Sequence, residues 1–156
     1  MRYLILSDIH ANWEALEAVL QDAEGAYETI VCLGDVVGYG ADPNAVTEWV
    51  REHVAKVIRG NHDKVCCGLE DPALFNPIAE RAACWTLGVL TSENREFLRK
   101  LAQGPVEEGG FHGPRGEDRD GLSMRVRTSV PCPAHRMPFT TARFKSRMLG
   151  NYPGGC

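Results

Sequence analysis

The chain has 156 residues, 44% of them hydrophobic and 24% charged, with a formal net charge of −4. That length suits one domain whose core needs no metal or disulfide merely to fold, and the composition excludes a disordered or fibrous chain. No apolar run approaches the length of a membrane span, and Met1–Ser7 is too short for a secretory signal, so the cytoplasm is the expected location and no membrane partner is expected.

The first element is a strand at Tyr3-Leu4-Ile5-Leu6, apolar on both faces and so buried on both. A helix follows Asp8-Ile9-His10. Asn12 is its N-cap, Glu14 suits its first turn, Trp13, Leu16, Val19 and Leu20 form its apolar stripe, and Gly25 marks its stop. Thr29–Leu33 reads as a second buried strand, and the glycines at 34, 38 and 40 require a loop after it. Asp42-Pro43 opens the next helix, with Asp as cap and Pro at the first helical position. Lys56-Val57-Ile58 is a short third strand, with Gly60-Asn61-His62-Asp63 as the loop beyond it. Two more helices are expected, one from Asn76-Pro77 to about Leu87 and one from Thr91-Ser92 to before Gly104-Pro105. Trp13, Trp49 and Trp85 lie on apolar helix faces and are expected in the core, and His53 is read as structural.

Six cysteines show no C-x-x-C spacing; Cys32 and Cys84 read as buried reduced thiols, and Cys66–Cys67 as small residues on a helix. Past Glu108 the sequence changes character. Residues 1–108 hold 18 acidic and 9 basic side chains, whereas residues 109–156 hold 3 and 8, with 8 Gly and 5 Pro. No periodic apolar face appears there. Its basic charge lacks the aromatic interleaving of a nucleic-acid reader, so a nucleic-acid partner is not expected.

The β-α-β-α-β order implies an α/β fold with a parallel sheet, whose ligands bind beyond the C-terminal strand ends. Asp8 and His10, Asp35, and Asn61 and His62 all fall just after a strand. Three loops thus deliver carboxylate, imidazole and amide groups to one edge, a donor set suited to divalent ions. Two neighbouring ions would acidify a bridging water and stabilise charge on a phosphoryl oxygen. Protonated His62 could donate to the leaving group, and Asp63 could orient its ring. Gly38 and Gly40 serve turn geometry rather than a phosphate cradle, since no Gly-Lys-Ser/Thr accompanies them.

Ser7-Asp8-Ile9-His10-Ala11-Asn12, Gly34-Asp35-Val36-Val37-Gly38-Tyr39-Gly40 and Arg59-Gly60-Asn61-His62-Asp63 resemble the successive signatures of the calcineurin-like metallophosphoesterases, closest to their small bacterial and archaeal phosphodiesterases. The resemblance covers residues 1–108. It implies a four-layer αββα sandwich, a dinuclear centre of Mn, Fe, Zn or Ni with Mn favoured, and hydrolysis of a small phosphate-ester substrate. By the family pattern Asp8 and His10 hold the first metal, Asp35 bridges, Asn61 holds the second, and His62 is the catalytic imidazole. The family draws further ligands from a His-Gly and a Gly-His-x-His; the second is absent, and only His112 and His135 are candidate replacements. The expected organisation is therefore the N-terminal part of that domain over 1–108, followed by a Gly/Pro/Arg-rich tail over 109–156, disordered or read from a shifted frame. The sandwich would then be incomplete, and copies would associate through the uncovered sheet. The competing reading is a metal- or phosphate-binding remnant without turnover.

Overall fold

A computed structural model describes residues 2–104 and, by backbone alone, short strands at 107–108, 111–112, 125–126 and 141–143. Strand β1 (Tyr3–Ser7) pairs in parallel with β2 (Thr29–Cys32), Leu4 against Ile30 and Leu6 against Cys32. Between them runs α1 (Trp13–Asp22). Asn12 caps it as expected, its side chain accepting from the Ala15 N–H at 3.0 Å. The helix stops at Asp22, before Gly25, which turns the chain with φ +71°. After α2 (Pro43–His53), strand β3 (Lys56–Val57) joins β2 in parallel. The three strands thus point their C-terminal ends the same way.

The loop expected at Asn61-His62-Asp63 is instead the first turn of a short helix, α3 (Asn61–Cys66). Asp63 explains the difference: its Oδ2 accepts from the Gly60 N–H at 2.9 Å, one half of a capping box. A 3-10 turn (Pro72–Leu74) leads to α4 (Pro77–Val89), and then α5 (Ser92–Lys100) follows. The side chains of Asn76 and Thr91 cap these two helices, while Asp42, at the N-cap of α2, makes no capping bond.

Leu4, Leu6, Ile30 and Cys32 pack with Leu16, Val46, Val50, Val65, Ala83 and Leu98 into the main core. Ile5 and Val31, paired in register and pointing to the other side of the sheet, are buried too. Trp13 and Trp49 lie against the core, but Trp85 is 43% exposed, on a side of α4 that also exposes Ile78 and Val89. Cys84 on the same helix is only half-buried. Apolar spacing told which residues share a helix face, not whether that face has a partner.

Beyond residue 104, β4 (Glu107–Glu108), β5 (Phe111–His112) and β6 (Arg125–Val126) form an antiparallel three-stranded sheet, and β7 (Thr141–Arg143) pairs in parallel with β1. The architecture is the α/β, parallel-sheet half of the expected sandwich. The character expected of the tail over 109–156 lies largely outside the described residues. No described helix is long and apolar enough to cross a membrane.

Candidate active site

Three loops leave the aligned strand ends, and backbone hydrogen bonds stitch them together. The N–H groups of Asp8, His10 and Ala11 donate to the carbonyls of Gly34, Asp35 and Val36 at 3.2, 2.9 and 2.8 Å. Gly40 N–H returns to the His10 carbonyl at 2.9 Å. The third loop is held through side chains: Asp63 Oδ1 accepts from Val37 N–H at 3.0 Å, and Asp35 Oδ1 from His62 N–H at 2.9 Å. Contact this close is open only to glycine. A Cβ on Gly60 would stand 2.1 Å from Asp35 Oδ1 and 2.3 Å from Asp35 N.

This frame brings the donor atoms of Asp8, His10 and Asp35 within 4.8 Å of one another. Ser7 Oγ donates to Asp8 Oδ2 at 2.7 Å, leaving Asp8 Oδ1 toward His10 Nε2 at 3.9 Å. The His10 ring is oriented for ligation. Its Nδ1 lies 3.1 Å from the Val37 carbonyl, which can only accept, so the proton sits on Nδ1 and the lone pair on Nε2. Burial, with the nearby Asp8 carboxylate, raises the Asp35 carboxyl above its ordinary range despite the His62 N–H. A cation among these groups would relieve that repulsion. The donor set therefore fits a divalent ion, held by Asp8, His10 and Asp35.

Asn61 opens α3 and is exposed, next in sequence to His62; among the described residues no second group of three His, Cys, Asp or Glu ligands occurs. His112 falls on β5, and its side chain lies outside the described residues, as does all of His135.

His62 is buried, and its ring centroid lies 4.8 Å from that of His10. Burial first, then neighbouring His10, pushes its pKa down to about 4, so the ring is neutral at neutral pH with no anion beside it. Asp63 does not orient it: the two carboxylate oxygens hold the Val37 and Gly60 amides, and His62 Nδ1 has no hydrogen-bond partner among the described residues. Burial, then Asp35, raises the Asp63 carboxyl. Its work is to tie the second and third loops together.

Two residues at this site escaped the sequence reading. Tyr39 packs its ring 5.0 Å from His10 and 4.7 Å from His62, and Phe75 lies 4.5 Å from His62. Tyr39 sits inside the glycine loop and could have been placed there by position. Phe75 follows a 3-10 turn with no motif around it. A cavity of about 550 Å³ lies elsewhere, beside Tyr27, Trp49 and Ala55 near the starts of β2 and β3.

Residues 1–124 match the calcineurin-like phosphoesterase profile. The chain belongs to that family. An uncharacterized protein of Methanocaldococcus jannaschii is 44% identical over 98 residues, covering 62% of this chain and 40% of that protein. The crystal structure of a metallophosphoesterase from Sphaerobacter thermophilus superimposes with a TM-score of 0.59 and 43% identity, over 70% of this chain and 44% of that one. The chain thus spans less than half the length of either relative. Members of this family use divalent metals, in keeping with the Asp8–His10–Asp35 cluster.

Proposed function

We propose that the chain is a metal-dependent phosphoesterase that hydrolyses a small phosphate ester, diester or monoester, in the cytoplasm. The observation that carries this reading is the convergence of Asp8, His10 and Asp35 within 4.8 Å, with His62 against the same His10 ring. The oxygen-rich donors with one imidazole suit manganese or iron best, and manganese is the ion we favour. Two divalent ions, when bound, would supply positive charge to the phosphoryl oxygens and acidify the attacking water. Asp8 and His10 would hold the first ion, Asp35 would be shared, and Asn61 would serve the second with ligands from later in the chain, His112 among them. His62 takes up a proton when an anionic ester sits beside it, since a nearby anion raises an imidazole pKa, and passes it to the departing alkoxide. The cytoplasm suits the thiols, for Cys32, Cys66 and Cys67 are buried and form no disulfide.

Manganese-dependent hydrolysis of bis-p-nitrophenyl phosphate tests the proposal. Turnover abolished by Asp35→Asn and by His62→Ala is the expected result. A second reading rests on the ligand count: one cluster of three is present among the described residues, and the second ion has no such set. On that reading the chain binds metal without turnover, and tight manganese uptake with no hydrolysis would favour it.

A further inference from the structure

The His62 imidazole is fixed in an unusual way. Its Nδ1 is buried and has no hydrogen-bond partner among the described residues, although groups so placed nearly always find one. Gly38 closes over that atom so tightly that a Cβ there would come within 2.8 Å of it. An imidazole without a second hydrogen bond is free to rotate about χ2, which is a broad torsion, and rotation would carry Nε2 away from its place. What surrounds the ring instead is aromatic. Phe75 lies 4.5 Å away tilted by 32°, Tyr39 4.7 Å away tilted by 44°, and His10 stands edge-on at 4.8 Å. His10 and Tyr39 belong to the loops after β1 and β2. Phe75 comes from outside all three loops. Its backbone is pinned by its N–H to the Pro72 carbonyl at 3.0 Å, and its side chain packs against the core.

We propose that Phe75, together with Tyr39, is a positioning residue that fixes the His62 imidazole by ring packing where a hydrogen bond at Nδ1 is missing. Nε2 is then the nitrogen left for chemistry. The role given to His62 rests on the phosphoesterase reading; the way its ring is held does not. Phe75 also ties the site to the turn before α4, so a change there reaches the imidazole without touching a metal ligand.

The full chain, labelled with 15N-histidine, is studied by NMR as wild type, Phe75→Ala, Phe75→Leu and Phe75→Tyr, with His62 assigned through His62→Gln. His53, stacked on Trp49 at 5.0 Å, serves as internal reference. In Phe75→Ala and Phe75→Leu the His62 ring protons are expected to move downfield as the ring current is lost, and their lines to change as the imidazole samples other χ2 states. The His53 signals stay in place, and Phe75→Tyr restores the wild-type pattern. With manganese and bis-p-nitrophenyl phosphate, kcat of Phe75→Leu falls about tenfold with KM little changed, and Phe75→Tyr recovers it. His62 resonances unmoved in Phe75→Leu, or moved but not restored by Phe75→Tyr, would overturn the proposal. Should Phe75→Ala not fold, Phe75→Leu keeps the apolar volume and decides alone. Should the wild type not turn over, the phosphoesterase reading falls, and the resonances still decide how the ring is held.

Discussion

Among the described residues five non-glycine ones take left-handed backbone conformations, and all belong to the first two site loops: Asp8, His10, Ala11, Asp35 and Tyr39, with φ between 52° and 66°. Each costs on the order of 1 kcal/mol, and such strain persists only where surrounding contacts dictate it. Here the cross-loop hydrogen bonds and the glycine contacts do so. Gly60→Ala should therefore be among the most damaging changes in the chain. Its Cβ would strike the Asp35 carboxylate and backbone at 2.1 and 2.3 Å, with neither able to give way easily. A loss of about 3 kcal/mol is expected in urea unfolding, together with loss of manganese uptake, because Asp35 must move. The same closeness protects Cys32. Burial raises its thiol pKa to about 12, so almost no thiolate exists at pH 8.5. Iodoacetamide at that pH should leave the Cys32 peptide unlabelled in the native chain and label it fully in urea, as read by peptide mass spectrometry.

The elements show what the sequence could and could not tell. The strands, α1, α2, α4 and α5 were legible because apolar runs and caps are local signals. Asn76 demonstrates this, since its Oδ1 accepts from both Ile78 and Ala79 N–H at 3.1 Å. Asn76→Ala should cost about 1 kcal/mol in thermal or urea unfolding, while Asp42→Ala, whose side chain makes no capping bond, should cost only a few tenths. A cap residue at the right place is thus not always a cap that acts. Helix α3 was illegible because it is six residues long and is nucleated by tertiary bonds through Asp63 rather than by its own periodicity. Asp8, His10 and Asp35 were legible as a cluster because parallel strands bring their following loops to one edge. The role given to Asp63 was not, since its second partner, Val37, lies 26 residues away. Trp85 failed for a related reason: periodicity defines a face of α4 but not its neighbour.

For the whole molecule, ligand count and composition point the same way. Residues 1–108 are acidic and carry all the described donors, whereas residues 109–156 are basic and rich in Gly and Pro. The family resemblance puts the remaining ligands in later motifs, and no Gly-His-x-His occurs in this chain. One ion therefore has a three-residue set among the described residues, and on the proposed reading a second would draw on Asp35 and Asn61. Plasma mass spectrometry after equilibration with manganese and desalting should find about one retained ion per chain, lost in Asp35→Asn. Two retained ions, falling to one in His112→Ala, would instead mean that side chains past residue 104 complete the second site. A shifted reading frame past Glu108 would account for both the composition change and the missing motif. Resequencing the coding DNA should then reveal an alternative frame encoding Gly-His-x-His, and its absence removes that explanation. If it is found, the chain expressed in that frame should retain two ions and hydrolyse bis-p-nitrophenyl phosphate faster than the present one, because the second ion adds charge where the phosphoryl oxygens need it.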